Sequence, residues 1–448
     1  MTQTRELAAY AAGLRYEDLP DDVRDRARDC IQDTVGISVF GANLPWGKFA
    51  IDYARRNAAA GGSALLGVPG VKISAPFAAL ANGVLTHAFE MDSLRKPGTG
   101  VHPGGIVPAA LAVAQQEGAS GRDLITAFVA GMEVTTRIGL STRHSSEEKG
   151  FHAPGLTGVF GATVAAGSLL KLDADQMCNA MGVAGSLCSG LLEFAKSGSG
   201  GMVKRLHIGR AAEGGVLAAS LAKDGYEGPA SVLEGKFGFL NAYTNDPLME
   251  KLTGGLGSTW ETRTICFKRC ACHATAHTPV QAFEELRADM GFTAADVDSI
   301  SIGSSRKVLG NHDIPEPQDL MAAQYSVPFS VALSFFHDPM DPTSFLGADL
   351  SDPAILALSR KIKLELFDET TKPGQAWACR ARVTLRDGRE GEKILSDFRG
   401  SPTQPMSTDE FDGKFRAATR VLGEAATEAL LSRLKTLDDS VDVGDLAR

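Results

Sequence analysis

Apolar residues recur at helical spacing over most of the first 260 positions. That periodicity predicts helices over residues 5–17, 21–41, 75–90, 105–117, 121–140, 155–171, 174–192 and 203–224, with a short one over 228–235. Pro20 followed by Asp21 and Asp22 marks a helix start with acidic residues in its first turn. Asn82-Gly83 is a hairpin signal in isolation, but its flanks lack strand alternation. The pattern changes near residue 265. Segments 297–304 (VDSISIGS), 361–368 (KIKLELFD) and 381–388 (ARVTLRDG) alternate as half-buried strands do. Helical periodicity holds over 274–290 and 321–337. It returns after Ser407, a cap that precedes Glu410 by three, and runs to about 436. The chain therefore reads as mainly α: a large all-helical domain (1–264 plus 402–448) with a smaller α+β domain (265–401) inserted.

Composition narrows the function. Hydrophobic residues make up 44% and charged residues 22%, ordinary globular values that argue against disorder. The formal net charge of -9 speaks against nucleic acid as a partner, which calls for a basic face. It leaves an anionic substrate open, because a few local cations decide that. Seven cysteines without a secreted-scaffold spacing fit reduced thiols in a cytoplasmic protein. The first 20 residues do not read as a signal peptide, and no membrane span is expected.

Four segments bear candidate chemistry. H-A-F-E-M-D-x9-H-P-G (87–104) gathers His87, Glu90, Asp92 and His102 around a helix end and its loop, with Arg95 and Lys96 between them. G-F-H-A-P-G (150–155) sets His152 just before an apolar helix, where an imidazole can face an anion. S-G-S-G-G-M-V-K-R-L-H-I-G-R (197–210) spaces Lys204, His207 and Arg210 three apart, with Arg205 adding charge. It is not a phosphate loop. K-R-C-A-C-H-A-T-A-H (268–277) offers Cys270, Cys272, His273 and His277, yet its spacing matches no zinc pattern, so no metal is expected. His277 serves better as an acid or base at the domain transition. Each segment also has a plain structural reading: a salt-bridged helix end, a backbone-satisfied His, a solvated basic face, or packing.

In this order and spacing the segments resemble the MmgE/PrpD family. The resemblance also takes in D-V-R-D-R-A-R-D-C-I-Q-D-T-V-G (22–36) and A-Q-Y-S-V-P-F (323–329). It implies a helical domain with an inserted lid, a homodimer, and a cofactor-independent enzyme acting on a small polycarboxylate. Carried over, the family site falls on Glu90 or Asp92, His102, His152, Lys204 and His277, with Tyr325 beside them. Dehydratase-like members read H-A-x-D-x-D-D-T where this chain has Ser93 and Leu94, followed by Arg95 and Lys96. Fewer acids and more cations point to the epimerase branch: inversion of a Cα centre of iminodisuccinate by proton removal and return. Two of His102, His152 and His277 are then the bases, or Lys204 is one of them. Lys204, Arg95, Lys96 and Arg205 bind the carboxylates and the charge that develops there. Glu90 or Asp92 orients a His. Dehydration of a 2-methylcitrate-type acid, decarboxylation of cis-aconitate, and carboxylate binding without turnover are the alternatives.

Overall fold

The computed structural model describes residues 2–95, 100–143, 145–195, 200–346, 350–372, 374–444 and 446. Its helices are α1 (Gln3–Gly13), α2 (Asp21–Gly41), α3 (Pro45–Asn57), α4 (Ala75–Thr86), α5 (Val107–Glu117), α6 (Gly121–Thr142), α7 (Ser145–Glu148), α8 (Ala153–Leu169), α9 (Ala174–Ala184), α10 (Val203–Lys223), α11 (Phe239–Tyr243) and α12 (Glu250–Thr253). After them come α13 (Ala274–Met290), α14 (Arg306–Asn311), α15 (Leu320–Tyr325), α16 (Val327–Leu333), α17 (Pro353–Ser359), α18 (Thr408–Thr419) and α19 (Glu424–Lys435). The strands are β1 (Ala60–Ala64), β2 (Lys72–Ile73), β3 (Leu94–Arg95), β4 (Ile265–Cys266), β5 (Val297–Ser304), β6 (Ile362–Leu366), β7 (Cys379–Leu385) and β8 (Glu390–Leu395). The protein is mainly α with a smaller α+β part.

Two compact units share the chain. The first comprises residues 1–88, 92–265 and 419–448; the second comprises 89–91 and 266–418. The first is helix on helix. Its centre is α10, packed on α4 and α8. All three helices are rich in Ala and Gly, and the small side chains let backbones approach closely. A Cβ on Gly83 of α4 would lie 2.7 Å from the Cα of Gly209, and one on Gly209 would lie 2.6 Å from the Leu80 carbonyl oxygen. α6 is long and apolar enough to cross a membrane, but 94% of its apolar window is buried inside the fold. It also carries a buried ion pair, Glu133 Oε2 to Arg137 Nη1 at 2.5 Å. Glu133 Oε1 accepts from the Thr262 amide and hydroxyl, both at 2.8 Å, so this acid anchors the 3-10 turn Glu261–Thr264.

The second unit holds a four-stranded sheet in the order β6-β5-β7-β8. β5 pairs parallel with β6 and antiparallel with β7, which pairs antiparallel with β8. α13 packs on β7 and β8, and α16 packs on α13.

Several boundaries differ from the periodicity, among them the helices expected over 174–192 and 5–17, which end at Ala184 and Gly13. The helix expected to 90 ends at Thr86, and Glu90 adopts φ 55, a left-handed conformation that turns the chain. Residues 228–235 form turns, in a stretch with Gly228, Pro229 and Gly235. The expected 321–337 helix breaks at Ser326, which caps α16 ahead of Pro328. The last helix breaks at Gly423, φ 84. β8 was not foreseen, because its residues alternate only between exposed and half-buried and include three charges.

The glycine contact sets the spacing of the two helices that flank the candidate site. Gly209→Val is expected to lower unfolding free energy by about 2–3 kcal/mol through overpacking against Leu80 and Val84. A chemical denaturation series checks this, and an unchanged midpoint would show that α4 and α10 move apart freely.

Candidate active site

At the C-terminal end of α4, three side chains of the first unit converge. His87 caps the helix, and its Nδ1 lies 2.9 Å from Asp92 Oδ2. His102, which precedes the 3-10 turn Pro103–Gly105, brings its Nδ1 to 2.7 Å from the same oxygen. Thr86, adjacent to His87, is pinned by a 2.8 Å hydroxyl contact with Ser38 of α2. The turn at Gly100 packs on the first residue of α8: a Cβ there would fall 2.2 Å from the Ala153 Cβ. That contact holds His102 beside His152, the residue that precedes α8.

The imidazoles form a row. The His87 ring centroid lies 5.5 Å from that of His102 and 5.9 Å from that of His152. His152 Nδ1 lies 2.9 Å from His207 Nδ1, and Phe194 packs edge-on to both rings. His207 stands one turn after Lys204 on α10, and both are buried. Two neutral rings joined through their Nδ1 atoms must hold opposite tautomers, since one donates and the other accepts. One therefore presents a bare Nε2 and the other an Nε2–H.

Electrostatics follow from burial. Burial, with the Lys204 ammonium, pushes His87 well below the ordinary imidazole range despite Asp92. Burial and the neighbouring His207 and His102 push His152 down to about 3, against the pull of Glu147 and Asp92. Burial and Lys204 lower His207 as well. Burial opposes ionisation of Asp92, yet His87 and His102 hold it well below the usual carboxylate range. The cluster thus sets one carboxylate and three neutral imidazoles, His87, His152 and His207, beside the buried Lys204.

The other expected residues have different surroundings. Arg95 Nη2 is paired with Glu261 Oε2 at 2.7 Å. Arg205 donates to the carbonyls of Gly201 at 2.8 Å and Ala88 at 3.3 Å, with its guanidinium over the Trp46 ring. Lys96 lies outside the described residues, as do Ser197, Gly198 and Ser199. Within the second unit Glu90 Oε2 accepts from Lys268 Nζ at 3.0 Å, both buried. Tyr325 ends α15, its ring 4.9 Å from that of His273, which stacks on His312 at 4.3 Å. His277 sits inside α13 against Phe398, its Nε2 3.4 Å from the Cys272 carbonyl oxygen. Burial opposes the Cys272 thiolate, but Cys270, His277 and Lys268 hold its pKa well below the usual thiol value.

Sequence reasoning left three of these partners without roles: His87, His207 and Lys268. His207 had a signal in its three-residue spacing from Lys204 on one helix face. Lys268 had none beyond its place in the Cys-rich segment.

A histidine kept neutral by burial makes stability depend on pH. The unfolded chain takes up a proton near pH 6.5, whereas folded His152 stays neutral down to about 3. Stability is therefore complete above about 6.5 and declines as pH falls toward 3. From pH 6.5 to 5 the loss from His152 alone is about 2 kcal/mol, and His87 and His207 add to it with the same sign. Urea denaturation across that range checks this, with His152→Phe expected to flatten the slope. A wild-type stability that is level from pH 7 to 5 would contradict the neutral assignment.

The profile of the MmgE/PrpD N-terminal domain matches residues 5–251, and that of the C-terminal domain matches residues 270–438. A cis-aconitate decarboxylase of Aspergillus terreus is 30% identical over 466 aligned positions, covering 98% of this chain and 92% of that protein. The cis-aconitate decarboxylases of Homo sapiens and Mus musculus are 28% and 27% identical, covering 98% and 99% of this chain and 92% of each relative. The chain belongs to the MmgE/PrpD family.

Proposed function

We propose that this chain is a lyase that decarboxylates a small unsaturated tricarboxylic acid of the cis-aconitate kind. The observation that carries this reading is the cluster of neutral His87, His152 and His207 around ionised Asp92, with Lys204 buried alongside. Full-length likeness to cis-aconitate decarboxylases supports it.

In such a reaction a C–C bond to one carboxylate breaks and CO2 leaves. The electron pair it leaves behind moves onto carbon conjugated with a remaining carboxylate, and that carbon then takes a proton. Two demands follow: fixed positive charge where the electron density collects, and a positioned acid. Lys204 answers the first. His102, the least buried imidazole of the triad and oriented by Asp92, answers the second, with His152 on the adjacent element. His207 acts through His152 by fixing its tautomer. The chain's own groups suffice for these steps, so no cofactor enters the scheme.

A second reading keeps the same first demand. Epimerisation of iminodisuccinate also builds a carbanion beside a carboxylate, and Ser93 with Leu94 in place of an acid and a Thr favours it. The pairing of Arg95 with Glu261 weakens it, because that cation is already matched.

Purified protein supplied with cis-aconitate is expected to release CO2 in step with loss of the tricarboxylate. Lys204→Ala and His102→Ala should each lower kcat by ~10²-fold or more. Folded protein that leaves cis-aconitate intact sinks the decarboxylase reading. Iminodisuccinate in D2O is the next sample: deuterium at Cα with growth of the other stereoisomer establishes the epimerase. New alkene from 2-methylcitrate establishes the dehydratase, and ligand binding without turnover the binding protein.

His207→Ala is expected to release the tautomer of His152. kcat should fall about 10²-fold, at the weak end of proton-transfer effects, with KM near the wild-type value. Nitrogen-15 NMR of the imidazoles should show His152 changing from one tautomer to a mixture. An unchanged His152 spectrum would remove the positioning role.

A further inference from the structure

We propose that His87, Asp92 and His102 form a site for one divalent transition-metal ion of the Zn2+ or Co2+ kind, and that its occupation shuts the cluster down. The binding claim stands on geometry alone; the inhibition rests on the decarboxylase reading above.

One donor atom from each of the three residues lies within 4.8 Å of the others. Among the described residues no other group of three His, Cys, Asp or Glu side chains is gathered in this way. Both Nδ1 atoms already converge on a single carboxylate oxygen, at 2.9 and 2.7 Å. Donors on a tetrahedral zinc, with bonds of about 2.0–2.1 Å, stand roughly 3.3 Å apart. The two His–Asp distances need to lengthen by only about half an ångström to match that spacing. His102 Nδ1 is buried and close to Asp92, yet it makes no well-directed hydrogen bond there.

The donor set selects the ion. Two imidazoles and one carboxylate suit Zn2+, Co2+ or Ni2+, whereas Mg2+ and Ca2+ prefer oxygen alone. The set carries one negative charge against two positive. Lys204 repels any cation here, which disfavours weakly held ions further and leaves those that gain most from nitrogen ligands. Three protein ligands leave a fourth position open. An ion so held removes from service the imidazole assigned as acid and the carboxylate that orients it.

The test titrates metal-free protein with Co2+, reading visible absorption and calorimetric stoichiometry without substrate. We expect one ion per chain, ligand-field bands without sulfur-to-metal charge transfer, and displacement by Zn2+. His87→Ala and His102→Gln should lose the bands, and Cys272→Ser should keep them. Circular dichroism confirms that each variant is folded, and Asp92→Asn, close to isosteric, replaces any that is not. Absence of stoichiometric binding, a thiolate band lost in Cys272→Ser, or bands that survive the triad substitutions would overturn the site. With cis-aconitate as substrate, Zn2+ should abolish CO2 release and a chelator should restore it. Full turnover in the zinc-loaded protein would overturn the inhibition. If the metal-free enzyme releases no CO2, the decarboxylase reading fails while the cobalt titration still decides the site.

Discussion

Asp92 is a fully buried carboxylate, and the first unit's candidate site is arranged around keeping it ionised. A lone carboxylate in such surroundings costs several kcal/mol and would take up a proton instead. Two imidazoles from opposite ends of one loop, His87 and His102, remove that choice by meeting the same oxygen. The constraint works in both directions. It orients each ring, and it ties the C-terminal end of α4 to the turn before α5. A change at Asp92 would therefore release two rings and one loop together, which is how a carboxylate serves a histidine base without itself taking the proton.

The scaffold supplies rigidity through small residues rather than large ones. α4, α8 and α10 approach so closely that glycines face backbone across the interface, leaving little room for relative motion. α10 carries Lys204 and His207, and α8 begins at His152, so the spacing of the three helices is also the spacing of amine and imidazoles. On the far side, Glu133 holds the turn at 261–264, whose Glu261 in turn holds Arg95. Asp92 and Arg95, which follow α4 and are both buried, are thus each held by a side-chain partner.

Much of this was legible in the sequence and some was not, for identifiable reasons. Long helices announced themselves by period: 21–41, 274–290 and the strand 297–304 stand where alternation placed them. What failed were endings. The α4 pattern runs on apolar to Phe89, but polar demands at His87 and Asp92, with left-handed Glu90, stop the helix at Thr86. Side-chain clustering at 87–104 and 150–155 signalled Asp92, His102 and His152 as neighbours only through motif order, since no period links residue 92 to residue 152. The engagement of Arg95 and Arg205 was invisible, because their partners, Glu261 and the Trp46 ring, lie 166 and 159 positions away (261 − 95 and 205 − 46). Charge alone named them as substrate ligands; only the fold says what they touch.

Neutral imidazoles beside a buried amine suit one kind of chemistry more than its relatives. An imidazolium would bind a polycarboxylate well, but it would bind ground state and transition state alike and gain little rate. A neutral ring offers its proton or its lone pair when charge develops on carbon, while Lys204 supplies fixed attraction throughout. Loss of CO2 is helped by a site that is dry and weakly charged around the departing carboxylate, since burial penalises that charged group and not the uncharged gas. Loss of hydroxide makes the opposite demand, an acid ready to protonate a poor leaving group. Burial keeps His87, His152 and His207 neutral rather than cationic, so none of the three stands ready to protonate a poor leaving group, which is the physical premise of the proposed decarboxylation.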